Sequence, residues 1–214
     1  MTTVIFVGPS LIAKDRAAIR DASVLPPIRR GDLAIYSEYD LFVILDGEFG
    51  QSMSVSPKEI LRVLDQGKTV VGAASMGALR AAELDSFGMI GVGWVYRHFI
   101  HASVRREDDV ALCYSPFDLT PTSVPMIDLE YMLTKARSAD LLSSKEQTTV
   151  LRRARMIYFA DRTQDDVNEI LIHVLGVERF DQVRLFFGGE FPSVKALDAR
   201  EALNLAFRLQ EHGA

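Results

Sequence analysis

Residues 69–84 read TVVGAASMGALRAAEL, and this stretch decides the fold of the chain. It opens with a continuous apolar run, Thr69–Ala74, as expected of a strand buried on both faces of a parallel sheet. It then passes through small residues into Met76–Ser86, whose apolar residues recur with helical spacing. A strand that leads directly into a helix is half of a β–α–β unit, so the segment predicts an α/β fold.

Three other runs extend this pattern towards the N-terminus. Val4–Val7 and Leu41–Leu45 (LFVIL) predict buried strands, and Leu33–Tyr36 predicts a weaker one. Ser56–Gln66 predicts a helix, because serine is a preferred N-cap and proline is favoured at the first helical position. The order of these elements predicts a parallel sheet core with flanking helices.

The chain changes character near residue 125. Asp109–Tyr114 predicts a last strand, and the proline-rich segment Ser115–Pro125 is interpreted as a linker. The remaining residues are rich in Leu, Arg, Glu and Ala, with helix-start patterns at Ser143–Glu146 and Thr163–Asp166. We therefore expect an α/β core over residues 1–125 and a helical C-terminal annex over residues 126–214.

Composition narrows the possible classes of protein. The formal net charge is −5, which argues against sequence-independent binding to DNA or RNA. No window of 18 apolar residues predicts a membrane span, and the N-terminus does not resemble a signal peptide, so we expect a cytoplasmic protein. The single cysteine excludes an internal disulfide framework and a cysteine zinc cluster. We expect neither a metal ion nor a cofactor.

Ser75 is the first candidate for chemistry. It lies where the Thr69–Ala74 strand becomes a helix, so its hydroxyl and the following amides of Met76 and Gly77 are placed as in a nucleophile elbow. The small neighbours fit such a tight turn. The alternative is that Ser75 only caps the helix.

A serine nucleophile needs a base, and Lys58 is the candidate that the predicted topology offers. Lys58 lies in the first turn of the helix that begins at Ser56, at the same edge of the sheet as Ser75. Partial burial there, together with the helix N-terminus, would favour its neutral amine. The alternative is a solvated surface lysine.

Two further corners fall at this edge. Gly8, Pro9 and Ser10 follow the first strand, and Ser10 is either an N-cap, an anion ligand or a competing nucleophile. Asp46 follows the LFVIL strand, where it would orient Lys58, hold a metal, contact a partner or simply form a turn with the next glycine. Carboxyl ends of parallel strands bind ligands, so we expect Gly8, Ser10, Asp46 and Ser75 to line one crevice.

Several of these motifs together resemble the TfuA-like family. The resemblance covers roughly residues 4–125 and rests above all on GAASMGALRAAEL (72–84), with support from GPS (8–10), PPIRRGDL (26–33), DGEF (46–49), SPKEI (56–60) and FGMIGVG (87–93). It implies a partner of YcaO enzymes, which activate a peptide backbone amide with ATP. It also implies hydrolysis of the C-terminal thiocarboxylate of a ubiquitin-like, ThiS-type sulfur carrier, releasing sulfide for peptide backbone thioamidation.

The resemblance further implies a hydrolase-like Ser–Lys active site, for which Ser75 and Lys58 are the best matches and Ser10 is the competing serine. The amides of Met76 and Ser10 would then form the oxyanion hole. Two other functions stay open. One is a non-catalytic adaptor that recruits or activates YcaO. The other is a small-molecule or phosphate-binding domain, although the chain has no Gly-x-x-x-x-Gly-Lys loop.

Overall fold

The computed structural model describes residues 1–50, 52–102 and 106–212. It divides into two compact units. The first comprises Met1–Glu107 and Lys195–Ala214, and the second comprises Asp108–Val194. This division differs from the expected boundary at residue 125 in two respects: residues 108–125 group with the helices that follow them, and the last helix groups with the sheet.

The first unit is built on a five-stranded parallel sheet, which confirms the predicted α/β class. The strands lie in the order β2-β1-β3-β4-β5. In chain order they are β1 (Thr3–Phe6), β2 (Ser23–Leu25), β3 (Leu41–Ile44), β4 (Thr69–Gly72) and β5 (Ile90–Gly91).

The described residues form ten α-helices, five in each half of the chain. Five follow strands or loops of the sheet unit: α1 (Ala13–Ala17), α2 (Asp32–Ile35), α3 (Pro57–Asp65), α4 (Met76–Leu84) and α5 (Gly93–His101). The others are α6 (Met126–Ser138), α7 (Ser144–Arg155), α8 (Gln164–Leu175), α9 (Val177–Phe186) and α10 (Val194–His212).

Two predicted strands are wrong. Leu33–Tyr36 lies largely in helix α2, which follows Gly31 at a φ of 93° and buries only Leu33. A short apolar run does not by itself distinguish a strand from a helical turn. Asp109–Tyr114 forms no strand; its last residue makes an isolated bridge to Pro121. The edge strand β2 was missed because its three residues lack an apolar run.

The two faces of the sheet carry different helices. On one face Ile5, Val43 and Val71 belong to a buried cluster with alanines of α10. On the other face the Phe6 ring packs edge-on against Tyr36, with 5.9 Å between centroids, and α3 and α4 cover β3 and β4. Alternate residues of each strand therefore serve two layers, which explains why β3 is apolar throughout.

The second unit contains helices α6–α9 around their own apolar core. Capping boxes confirm both predicted helix starts: Ser143 pairs with Glu146 at α7, and Thr163 pairs with Asp166 at α8. None of the helices in the described part of the chain combines the length and apolar character needed to cross a membrane.

Candidate functional site

The strand order places a topological switch point between β1 and β3. The chain leaves β1 for β2 on one side and then returns to build β3 on the other. Ligands of open α/β sheets bind outside the carboxyl ends of the strands at such a point. Ser10 follows β1, Asp46 follows β3, and Ser75 follows β4, so all three corners lie at this edge.

Asp46 joins the β1 and β3 corners through three hydrogen bonds. Its Oδ2 accepts the backbone N–H of Gly8 at 2.8 Å and that of Ser10 at 3.0 Å, while its Oδ1 accepts the Ser10 hydroxyl at 2.7 Å. Asp46 and Ser10 are both buried. The carboxylate thus satisfies the donors that a bound anion would otherwise use.

These contacts correct two expectations. The Ser10 amide points to Asp46, so it does not contribute to an oxyanion hole. All the hydrogen bonds of the Asp46 carboxylate in the described structure go to the β1 loop, so Asp46 does not orient Lys58. The Ser10 hydroxyl also donates to Asp46. The Asp46–Ser10 pair therefore links the β1 and β3 corners across the switch point.

The β4–α4 corner is a strained turn. Ala74 has a φ of 65°, which is unusual for a residue with a Cβ, and the Ser75 N–H donates back across it to the Ala73 carbonyl at 2.8 Å. The Ser75 N–H also lies 3.1 Å from the Leu45 carbonyl, which ties the turn to the end of β3. Strain of this kind is concentrated at functional sites, and here it falls one residue before the serine.

Ser75 occupies the N-cap position of α4 without capping the helix. Within the described structure its side chain makes no cap hydrogen bond, and its backbone, at φ −128° and ψ −116°, departs from the extended conformation usual for an N-cap. Its side chain is buried, with 2% of the residue exposed. The interpretation of Ser75 as a simple helix cap therefore loses its support.

Glycines allow α4 to start against the sheet. A Cβ on Gly77 would lie 1.7 Å from the Ile44 carbonyl oxygen, and a Cβ on Gly72 would lie 2.2 Å from the Gly77 carbonyl oxygen. The Gly77 N–H donates to the Leu45 carbonyl at 3.4 Å, whereas no hydrogen bond among the described residues uses the Met76 N–H. The Met76 amide is thus the candidate oxyanion donor at this corner.

Lys58 does not meet the expectation of burial. It is exposed in the first turn of α3, and none of the hydrogen bonds or ion pairs among the described residues includes it. The start of that helix is fixed by its neighbours instead. Ser56 and Glu59 form a capping box, and Glu59 also accepts the Gly31 N–H at 2.5 Å. The burial that the sequence predicted for Lys58 is therefore not observed.

A family model described as TfuA-like protein matches residues 46–163, more than half of the chain. This chain belongs to the TfuA-like family. The matched segment includes Asp46, Lys58 and Ser75, and it extends through α6 and α7 of the second unit, farther than the resemblance noted in the sequence. A search of curated proteins found no match.

Within the segment that defines the family membership, Arg80 is a buried residue that sequence reasoning missed. Its Nε donates to the Val55 carbonyl at 2.9 Å, and its NH2 donates to the Ser54 hydroxyl at 2.9 Å. Its NH1 pairs with Glu83 at 2.8 Å, and the Ser54 hydroxyl lies 3.8 Å from the Met76 sulfur. Arg80 therefore fixes the loop before α3 against the first turn of α4. The signal in the sequence was an arginine on the otherwise apolar side of that helix.

Two charged residues of α10 were also missed, because that helix was assigned to the annex. Lys195 is only 1% exposed, and Asp198 is 3% exposed. The Asp198 carboxylate accepts the N–H groups of Trp94 at 2.8 Å and Val95 at 2.7 Å, at the start of α5. Burial raises the pKa of Asp198 to about 6, although these two hydrogen bonds oppose the shift.

No group of His, Cys, Asp and Glu side chains among the described residues has a metal-binding arrangement.

Proposed function

We propose that this TfuA-like protein hydrolyses the C-terminal thiocarboxylate of a ubiquitin-like, ThiS-type sulfur carrier and supplies the sulfide to a YcaO enzyme for peptide backbone thioamidation. The observation that carries the proposal is the geometry of Ser75. It lies on a strained strand-to-helix corner, at a helix N-terminus, and its side chain is not used to cap that helix.

The proposed reaction is acyl transfer. The Ser75 hydroxyl loses its proton to a base, and its oxygen attacks the thiocarboxylate carbon, with the resulting oxyanion stabilised by the Met76 N–H. The C–S bond then breaks and sulfide leaves with a proton. Water hydrolyses the ester, so that the carrier ends in a carboxylate and Ser75 regains its proton.

The exposed Lys58 has a different role in this scheme. A positive charge in the first turn of α3 would attract the anionic C-terminus of the carrier, and the helix N-terminus would add to that attraction. Such attraction acts on binding rather than on proton transfer, so salt should weaken it.

The test is sulfide release from a carrier that bears a C-terminal thiocarboxylate. Mass spectrometry follows the replacement of sulfur by oxygen in the same samples. Ser75→Ala should lower the release by about 100-fold or more, while Ser86→Ala, at an exposed serine just beyond α4, should leave it unchanged. If a folded Ser75→Ala protein released sulfide at the full rate and Ser10→Ala did not, Ser10 rather than Ser75 would be the nucleophile.

A second candidate function is favoured by the burial of Ser75. A serine that is 2% exposed suits a non-catalytic adaptor that recruits or activates YcaO, because a carrier terminus must otherwise be admitted to it. The adaptor function predicts that Ser75→Ala binds a YcaO partner and supports thioamidation as well as the unmodified protein does when free sulfide is supplied. Hydrolysis predicts loss of activity only when the carrier is the sulfur source.

A further inference from the structure

Phe117 is the most exposed large apolar side chain among the described residues, with 97% of the residue in contact with solvent. At that exposure the ring packs against almost nothing in the described part of the chain, so it adds nothing to either core. Single exposed apolar side chains are ordinary on protein surfaces, and exposure alone indicates no function. The significance of Phe117 depends on the loop that carries it.

Residues 113–122, here named the Phe117 loop, form a short hairpin in the second unit. Tyr114 and Pro121 make an antiparallel bridge, and the Ser115 N–H donates to the Thr120 carbonyl at 2.8 Å. These contacts join the two arms of the loop below its tip. The tip is thereby held away from the helices of the unit by a paired base rather than by a free segment of chain.

The tip itself has a fixed backbone. The Leu119 N–H donates to the Ser115 carbonyl at 2.9 Å, and the Phe117 N–H donates to the Ser115 hydroxyl at 3.3 Å. The Asp118 carboxylate accepts the Thr120 N–H at 3.1 Å and the Thr120 hydroxyl at 2.8 Å. Hydrogen bonds on both sides of Phe117 therefore present its ring in one position, and a binding partner would pay little conformational entropy to order it.

The loop lies in an acidic part of the chain. Between residues 108 and 130 the sequence has no Lys, Arg or His, and it has five acidic residues: Asp108, Asp109, Asp118, Asp128 and Glu130. The exposed Asp118 lies next to Phe117, and the hydrogen bonds from Thr120 hold the pKa of its carboxyl below the usual range. The tip therefore combines an aromatic ring with a negative charge that persists at neutral pH.

The complement of this tip is an apolar pocket with lysine or arginine at its rim. A buried aromatic anchor supplies most of the affinity at such an interface, and the opposite charges speed association and select the partner. The proposed function requires two protein partners, the carrier and the YcaO enzyme. The carrier reacts at Ser75, in the sheet unit, whereas the Phe117 loop belongs to the second unit. We therefore assign the loop to the other partner.

We propose that the Phe117 loop docks this protein onto the YcaO enzyme, with the Phe117 ring buried in an apolar pocket of the enzyme and Asp118 facing a cation at the rim of that pocket. The identity of the partner rests on the proposed function. The docking element is separate from the chemistry at Ser75, so binding and sulfide release can be tested independently.

Binding of the full-length protein to a purified YcaO enzyme, immobilised on a biosensor, tests the proposal at several salt concentrations. Phe117→Ser removes the ring, Phe117→Leu keeps an apolar side chain, and Asp118→Asn removes the charge but keeps an oxygen that accepts the Thr120 N–H. The matched control is Phe87→Ser, at an exposed phenylalanine of the sheet unit. The melting temperature of each variant should be unchanged, because all these side chains are exposed.

We expect Phe117→Ser to weaken binding by about 10-fold or more and Phe117→Leu to weaken it less, since truncation of a central aromatic anchor removes most of its contribution. Asp118→Asn should slow association and flatten the dependence of the association rate on salt. Phe87→Ser should bind like the unmodified protein. Phe117→Ser should also release sulfide from the thiocarboxylated carrier at the normal rate when no YcaO enzyme is present.

Three results would overturn the docking proposal. They are unchanged YcaO binding by Phe117→Ser, no binding by the unmodified protein, and a loss of self-association in Phe117→Ser without a loss of YcaO binding, which would make the partner a second copy of the chain. The proposed hydrolysis fails separately. Phe117-dependent YcaO binding by a protein that releases no sulfide would keep the docking loop and remove the hydrolase, whereas Ser75-dependent release with Phe117-independent binding would do the reverse.

Discussion

Replacement of Asp46 separates the structural role of its carboxylate from any role of its charge. Asp46→Ala removes the partner of two buried N–H groups and of the Ser10 hydroxyl. Each buried donor left unpaired costs about 1–3 kcal/mol, so we expect the free energy of unfolding to fall by about 3–5 kcal/mol.

Asp46→Asn should be much milder. The amide oxygen can take the place of Oδ2, which accepts both N–H groups, and the NH₂ group can donate to the Ser10 oxygen, which accepts as readily as it donates. Only the charge assistance of these bonds is lost, so the expected cost is about 1 kcal/mol.

Urea unfolding followed by the fluorescence of Trp94 measures both variants, because Trp94 is the single tryptophan and lies in the sheet unit. Asp40→Ala is the matched control. Asp40 accepts the Thr2 N–H and hydroxyl at 2.8 and 3.0 Å, but at an exposed position where water replaces it, so the cost should stay below about 1 kcal/mol. Two results would refute the structural role of the Asp46 carboxylate. One is a loss of unfolding free energy in Asp46→Ala as small as that in Asp40→Ala, and the other is an equal loss in Asp46→Ala and Asp46→Asn.

Three other perturbations have defined outcomes. Gly77→Ala should lower the free energy of unfolding by about 3 kcal/mol or more, because its Cβ would meet the Ile44 carbonyl. The control is Gly67→Ala, whose Cβ meets only open space at a φ of 75° and which should cost about 1–2 kcal/mol in the same urea titration. The pKa of Asp198 is raised to about 6 by burial, so the folded state binds its proton more tightly than the unfolded state and stability falls as pH rises from about 4 to about 6. Asp198→Asn should therefore gain up to about 3 kcal/mol relative to the unmodified protein between pH 4 and pH 7, and parallel stability curves would contradict this. Lys58→Arg should keep most of the sulfide release, whereas Lys58→Ala should raise KM and make KM less dependent on salt. An equal fall of kcat in both variants would instead indicate that Lys58 is the base.

The sequence was sufficient for features that local physics decides. Leu41–Leu45 and residues 70–74 carry no polar side chain because both faces of a parallel strand are covered. Ser56-Pro57 starts a helix because the serine oxygen and the proline ring suit that position. Since parallel strands end at one edge, the order of these elements also gave the corners at Ser10, Asp46 and Ser75.

Tertiary structure decided everything that depends on which atoms meet across the fold. The donors of Gly8 and Ser10 are satisfied by a carboxylate 36–38 residues away, and nothing in the local sequence selects Asp46 for that contact over a ligand. The same limit applies to the lysines. Lys58 has the favourable local position but remains exposed, whereas Lys195 is buried because α10 returns to pack on a sheet whose strands lie more than 100 residues earlier. Burial is a property of the packed layers, and the periodicity of a single helix does not say which surface will cover it.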